Sequence, residues 1–309
     1  MRVLFMGTPE IAATVLSSLL DGGLAVVGCV SQPDRPKGRG MVLTPPPVKV
    51  LAEERGIPVF QPESLKDGAL LPVLEELSPD VIAVVAYGKI LPEYVLSYPK
   101  YGCVNLHVSL LPKYRGAAPM QRAVMNGDKE TGVTTMKMDA GLDTGDILLV
   151  EKFPIGDTDN FETVHDTSAR IGGPLLAKTL WGLLDGSVTP TPQNHAEATY
   201  AEKITKEECA IDFTLPSCVL DARIRGLSPI PLAYTRMPNG KLLKVVSATP
   251  CEGRGRPGEI LRAEKDGFAV ACGEGALLLR TLLPEGKGKM SAADLLRGRV
   301  LAVGDILAL

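Results

Sequence analysis

Two contrasting apolar patterns predict an α/β fold with an open, mainly parallel sheet and helices on both faces, followed by a small C-terminal β-barrel. Over the first half, short continuous β-branched runs alternate with helical patterns, as expected of strands buried on both faces. In the last third, apolar runs separated by glycine turns read as hairpins, at the spacing of a small oligonucleotide-binding-type (OB-like) barrel. Between them TPTPQN (189–194) is proline-rich and turn-like, the natural position for a linker. At 309 residues the chain also exceeds the size at which one core usually stops growing. The expected division is residues 1–188 for the α/β domain, 189–206 for the linker and 207–309 for the barrel.

RVLFMG (2–7) opens the sheet. Thr8-Pro9-Glu10 reads as a helix start, with Thr as cap, Pro at the first helical position and an acid in the first turn. That helix runs to about Asp21, where Gly22-Gly23 stop it. LAVVGCV (24–30) is a second strand, VKVLAEERG (48–56) a helix ended by glycine, IPVF (57–60) a third strand and DVIAVVAY (80–87) a fourth. CVNLHVS (103–109) extends the sheet, TGVTTMKMD and DILLVEKF add antiparallel strands, and a long helix covers about Asn160 to Leu184. Past the linker, NGKLLKVVSAT and GEILRAEKDGFAVACGEGALLLRTLL supply hairpins, and MSAADLLRG one short helix.

Hydrophobic residues form 45% of the chain and charged residues 22%, ordinary values for a globular protein. RVLFMG follows Met1 without a basic, then apolar, leader, so a secretory signal is not expected. The longest apolar runs, such as VIAVVAY, are too short to span a bilayer. Six cysteines (29, 103, 209, 218, 251, 272) lack any C-x-x-C pair, which fits neither a zinc site nor a disulfide framework. The expectation is a reduced, cytoplasmic protein with no metal site and no membrane partner. Net charge is −3, made of +3 from Lys206 onward and −6 before it, a balance that permits a basic face on the C-terminal part.

Several chemistries lack their signatures. G-x-G-x-x-G, the P-loop, the G-x-S-x-G elbow and H-E-x-x-H are all absent. Attention therefore falls on Asn105-Leu106-His107, in a chain with only three histidines. On a strand, residues i and i+2 share a face, so the amide and imidazole point together while Leu106 points into the other layer. Near the carboxyl end of such a strand they would meet a ligand. Both groups donate hydrogen bonds to a developing oxyanion, and the imidazole moves protons, which suits acyl or formyl transfer. The plainer alternative is a pair of satisfied polar groups closing a sheet. MDAGLDTGDILL (138–149) sets Asp143 on a tight loop with a glycine two positions to either side. A carboxylate delivered from there would orient His107 and stabilise its protonated form, although the same turn also reads as solvated. Finally, QPDRPKGRGMVLTPPPVK (32–49) reads as a long loop without helix or strand, carrying Arg35, Lys37, Arg39 and Lys49 beside the ligand edge. Such a cationic loop suits a phosphate-rich substrate.

NLHVSLLPKYRGAAP, GLDTGD, QPDRPKGRG and YAEKITKEE (200–208) together resemble the methionyl-tRNA formyltransferase family, and the likeness spans essentially the whole chain. The Asn-x-His-x-Ser-Leu-Leu-Pro run with a distant Asp alone identifies only the wider group of enzymes that use 10-formyltetrahydrofolate. The basic loop and barrel narrow it to those acting on tRNA. The resemblance implies a Rossmann-like formyltransferase domain and a tRNA-binding barrel. It implies that the α-amine of methionine on initiator methionyl-tRNA attacks the formyl carbon, with Asn105 and His107 stabilising the oxyanion and Asp143 paired with His107. Ser109, Leu110, Leu111 and Pro112 would line the folate site, with the backbone of Ala86-Tyr87-Gly88 holding the pterin. Arg39 would contact the tRNA acceptor end and Lys206 would stand nearby. A monomer is the expected state. Two positions depart from the family's habit: Ile11 replaces a Phe near the methionine pocket, and Tyr114 replaces a frequent Trp.

Other functions fit parts of the same pattern. An amino-sugar nucleotide formyltransferase shares the chemical residues. A purine-pathway transformylase would be shorter, and a formyl-folate deformylase would carry an N-terminal regulatory domain. A non-catalytic RNA-binding protein would be indifferent to the loss of Asn105 or His107.

Overall fold

The computed structural model of the chain describes residues 1–38 and 40–308. Elements follow in the order β1 (Arg2–Gly7), α1 (Glu10–Asp21), β2 (Ala25–Val30), β3 (Arg35–Lys37), β4 (Val42–Thr44), α2 (Pro47–Glu54) and β5 (Val59–Phe60). Next come α3 (Leu71–Leu77), β6 (Val81–Val85), α4 (Glu93–Leu96), β7 (Cys103–His107), β8 (Arg115–Gly116) and α5 (Pro119–Met125). Then come β9 (Glu130–Lys137), β10 (Ile147–Pro154), α6 (Phe161–Asp185), β11 (Tyr200–Ala201) and α7 (Ser217–Leu227). The remainder is β12 (Ala233–Arg236), β13 (Leu242–Cys251), β14 (Ile260–Glu264), β15 (Gly267–Ala271), β16 (Ala276–Pro284), β17 (Met290–Ser291) and α8 (Ala292–Arg297). No helix among the described residues is long and apolar enough to cross a membrane.

The chain forms two compact units that are not continuous in sequence. The first comprises Met1–Gly116, Thr131–Phe153 and His165–Ala201; the second comprises Ala117–Glu130, Pro154–Val164 and Glu202–Leu309. In the first, a seven-stranded sheet has the order β10-β9-β7-β6-β1-β2-β5. Pairing is parallel for β1 with β2 and β6, for β2 with β5 and for β6 with β7, and antiparallel for β7 with β9. The two faces of the sheet carry separate cores, as period-two alternation requires. Val3 and Phe5 of β1, Val81 and Ala83 of β6 and Leu106 of β7 pack in one. Leu4, Met6, Ile82, Val84 and Cys103 pack in the other. Helix α6 approaches β7 closely because residue 172 is glycine: a Cβ there would lie 2.6 Å from Leu106 Cδ2.

Two local expectations are corrected. Thr8 does not cap α1: Pro9 is the cap, the helix begins at Glu10, and Thr8 Oγ1 instead donates to the Tyr87 carbonyl at 3.1 Å. The hydroxyl is recruited across the sheet by a backbone acceptor, which it shares with Gln32 Nε2. The segment 32–49 is not structureless either. It contains the exposed β3–β4 hairpin, with Pro36 paired to Leu43, and the start of α2. A two-stranded ribbon tolerates proline because its outer edge needs no donor.

The second unit is built on an antiparallel sheet in the order β12-β13-β16-β15-β14, with β17 added to β16. The C-terminal segment bridges both edges. Ala308 exchanges hydrogen bonds with Arg236 at the end of β12, while Leu307 N donates to the Gly258 carbonyl beside β14. That double bridge closes the sheet toward a barrel and leaves little free edge. Its core joins Leu243, Val245, Phe268, Leu277 and Leu279 to Leu220, Ile224 and Leu227 of α7, a helix the sequence reading passed over. Those three leucine and isoleucine positions recur at four and three residues, one apolar stripe on an otherwise polar segment.

Within this unit Arg122 Nη1 lies 2.6 Å from Glu208 Oε1. The hydrogen bond from Arg122, helped by the backbone N–H of Thr205, holds the Glu208 carboxyl down at about 2 from an ordinary 4.5. A depressed carboxylate stabilises the folded state above its unfolded value and loses that contribution as pH falls toward the folded one. Because both partners are partly exposed, solvent screening limits the pair to about 1 kcal/mol. Glu208→Gln is therefore expected to cost about 1 kcal/mol in urea unfolding at neutral pH. The gap should shrink as pH falls through 4.5 toward about 2. A gap that is constant across that range would contradict the ion-pair origin.

Candidate functional site

The parallel strands change winding direction between β1 and β6, and ligands of open α/β sheets bind in the crevice that opens there, outside the carboxyl ends of the strands. Thr8, Gln32 and Ala86-Tyr87-Gly88 gather at that point. Thr8 Oγ1 and Gln32 Nε2 both donate to the Tyr87 carbonyl, each at 3.1 Å. Ala86 (φ 44°) and Gly88 (φ 84°) turn the backbone left-handed as it leaves β6. A Cβ at Gly88 would meet only Gln32 Nε2, at 3.9 Å, so backbone faces open space there. The Tyr87 ring is buried in the core, where its hydroxyl has no partner, and burial pushes that phenol up to about 12.

β7 lies beside β6 and delivers the polar pair. Asn105 is in register with Val84 of β6 and Met136 of β9, and His107 with Thr134 of β9. With Leu106 in the opposite core, Asn105 and His107 share one face as the alternation predicts. Among the described residues the Asn105 amide has no hydrogen-bonding partner. His107 is 6% exposed, and its Nε2 stands 2.9 Å from the Tyr114 carbonyl. A carbonyl only accepts, so Nε2 carries a proton and donates it. Nδ1 then faces Asp143, whose Oδ2 lies 3.7 Å away.

After His107 the chain turns through a cis Leu111-Pro112 bond. Ser109 is buried and its hydroxyl donates to the Lys113 carbonyl at 2.7 Å, while its own carbonyl accepts from Thr134 Oγ1 at 2.7 Å. Leu111 is buried and its N–H reaches Thr134 Oγ1. Leu110 packs over Gly132, where any Cβ would lie 2.4 Å from its Cδ2.

The Asp143 loop is tight for identifiable reasons. Asp143 itself is left-handed, with φ 52°. A Cβ at Gly145 would stand 1.8 Å from the Lys137 carbonyl, so only glycine lets the loop close against β9. The Gly116 N–H donates to Asp143 Oδ2 at 2.8 Å and orients the carboxylate. Gln193 Nε2 donates to the carbonyls of Asp143 and Gly145 at 2.9 and 2.6 Å. Gln193, in the segment expected to be a linker, and Arg115 are both buried and hold this loop. Their only sequence signal was an amide and a cation in otherwise turn-like or apolar surroundings.

Of the basic loop, Lys49 is committed: Nζ bonds Asp34 at 2.9 and 3.0 Å and Gln61 Oε1 at 3.0 Å, and that bonding holds the Asp34 carboxyl below its ordinary range. Gln61 in turn reaches the Gln32 carbonyl at 2.8 Å, so a polar chain ties the hairpin base to the crevice. Arg35 and Lys37 are exposed on the hairpin, and Arg39 lies outside the described residues. Lys206 is exposed in the second unit, at the start of a short 3-10 turn. Ile11 is buried at the head of α1. Among the described residues no group of three or more His, Cys, Asp or Glu side chains converges as a metal would require.

Comparison with known proteins follows these lines. Residues 1–180 match the family model described as formyl transferase, and residues 203–300 the one described as formyl transferase, C-terminal domain. The methionyl-tRNA formyltransferase of Citrifermentans bemidjiense is 47% identical over 307 residues, covering 99% of this chain and 96% of that protein. That of Bacillus licheniformis is 48% identical over 306 residues, covering 98% and 96%. Among solved structures, an N-formyltransferase from Helicobacter canadensis with folinic acid and dTDP-3-aminofucose has a TM-score of 0.68 at 18% identity, covering 91% of this chain and 99% of that one. HypX from Aquifex aeolicus in complex with tetrahydrofolic acid has a TM-score of 0.65 at 20% identity, over 98% of this chain and 48% of its own. At those identities the solved structures speak for the fold.

Proposed function

This chain belongs to the methionyl-tRNA formyltransferase family, and from that premise we propose that Asn105, His107 and Asp143 carry its reaction. The reaction moves a formyl group from a folate donor, in our reading 10-formyltetrahydrofolate, to the α-amine of methionine on initiator methionyl-tRNA. The observation that carries this assignment is the convergence at one strand end of an unpartnered amide, an imidazole and a carboxylate 3.7 Å from that ring.

The amine attacks the formyl carbon, a C–N bond forms and the carbonyl oxygen takes the negative charge. The Asn105 amide donates to that oxyanion, which concentrates its effect in the transition state. His107 Nε2–H is held by the Tyr114 carbonyl, so Nδ1 is the position that receives the proton leaving the amine. The imidazolium adds positive charge beside the oxyanion, and Asp143 stabilises it. Collapse of the intermediate breaks the bond to the folate nitrogen, which takes up the proton and leaves. One proton is lost by the amine and one gained by the folate.

For the folate, the residues present fit a flat heteroaromatic ring. Backbone at Gly88 faces open space at the switch point, and the segment Ser109, Leu110, Leu111 and Pro112 leaves β7, the strand next to β6. We propose these as the folate-binding groups. Arg39 and Lys206 are proposed to contact the tRNA through its phosphates, with residues 1–188 as catalytic domain, 189–206 as linker and 207–309 as tRNA-binding domain. A cytoplasmic monomer completes the proposal. The test is transfer of radiolabelled formyl from 10-formyltetrahydrofolate to purified methionyl initiator tRNA, with an amino-sugar nucleotide as the competing acceptor. Incorporation into tRNA alone is expected, and label on the sugar alone would overturn the assignment.

A further inference from the structure

Arg115 is 2% exposed, and among the described residues no carboxylate pairs with it. A buried guanidinium without a counter-ion is costly, and it persists only where surrounding groups satisfy it. Its Nε and Nη2 donate to Gln193 Oε1 at 3.2 and 2.7 Å, and Nη2 also donates to His195 Nδ1 at 3.1 Å. This settles the orientation of the Gln193 amide. With Oε1 taken by a cation, Nε2 must point the other way, and there it donates to the carbonyls of Asp143 and Gly145. The guanidinium polarises the amide and strengthens both donations. The residue after Arg115 grips the same loop from its other side, since the Gly116 N–H holds Asp143 Oδ2 at 2.8 Å.

We infer that Arg115 and Gln193 are positioning residues for Asp143: the buried cation aligns the Gln193 amide, and that amide pins the left-handed Asp143 backbone so that its carboxylate meets His107. The inference rests on the proposal that Asp143 acts through His107. Neither side chain touches the ring or needs to touch substrate, so their effect belongs in turnover rather than in binding.

A double-mutant cycle with the full chain tests it, using saturating methionyl-tRNA and 10-formyltetrahydrofolate. Gln193→Ala should lower kcat by about 10²-fold, the scale of a small misplacement of a reacting group, with KM for both substrates unchanged. Placed on Asp143→Asn, the same change should cost no more than about twofold, because the group it positions is already disabled. Equal losses in both backgrounds would overturn the inference, as would a rise in KM at constant kcat. Gln193→Glu provides a second arm should the alanine variant fold poorly: it pairs with Arg115 as a carboxylate and turns toward the two loop carbonyls an oxygen that cannot donate. It should show the same loss of kcat with near-parental thermal unfolding, and full activity in it would overturn the inference. Full activity of Asp143→Asn, by contrast, would remove the active-centre proposal itself.

Discussion

Asn105→Ala is expected to lower kcat by about 10²–10³-fold while leaving the fold and both KM values close to the parent. The Asn105 amide bonds to no protein group, so truncation orphans no buried donor or acceptor. Its backbone remains in register with Val84 and Met136, and the sheet is unaffected. On the proposed mechanism, what disappears is a donor realised only when the formyl oxygen becomes an oxyanion, which lowers kcat and kcat/KM together. His107→Ala should lower turnover comparably but also cost stability, because it strips the Tyr114 carbonyl of its donor and opens a buried volume. Rapid-quench single-turnover measurement separates chemistry from product release. An Asn105→Ala enzyme with a parental chemical step would remove the amide from the mechanism.

The sheet was legible because its strands are buried on both faces, and that forces short unbroken β-branched runs such as VIAVV. The shared face of Asn105 and His107 was legible for the same reason, since period two is a property of any strand. The Asp143 loop was legible in part. Glycines two positions to either side pointed to a tight turn, and Gly145 is where backbone packs on backbone. Which way the carboxylate faces depends on the distant Gly116 N–H that holds Oδ2 and on Gln193, fifty residues on, that holds the backbone beneath it, and no local pattern encodes them. Arg115 shows the limit most plainly: within a known run of residues its identity was visible, but its burial was not. Helix α7 escaped notice because α5 and the barrel strands decide its apolar stripe, and its own propensity is weak. The β3–β4 hairpin escaped because prolines and glycines argue against strands in general and not against a two-stranded exposed ribbon. Lys49 belongs to the same cationic segment as Arg35, Lys37 and Arg39, yet Asp34 and Gln61 hold it, so charge alone overstates what the loop offers a phosphate.

Asp143→Asn should cost about 10²–10⁴-fold in kcat, the range associated with losing a positioned proton-transfer partner. The substitution is chosen because it changes little else. Asn tolerates the left-handed backbone at φ 52° as well as Asp does, and its side-chain oxygen still accepts from the Gly116 N–H. The Gln193 contacts are to backbone carbonyls and survive. The remaining difference is at His107 Nδ1. In the parent a carboxylate 3.7 Å away rewards a proton at that nitrogen. In the variant the side-chain oxygen that accepts from the Gly116 N–H is also the atom that faces Nδ1, so the geometry is kept and only the negative charge is lost, while Nε2–H stays with the Tyr114 carbonyl. On the proposed mechanism, an imidazolium formed by uptake of the amine's proton is then left without its counter-charge. Turnover should fall with KM for folate and tRNA unchanged. ¹⁵N shifts of His107 should report the proton on Nε2 in the variant as in the parent, showing that the ring keeps its place. Parental turnover in a correctly folded Asp143→Asn chain would mean that the imidazole works without its carboxylate, and the loop would then be architecture alone.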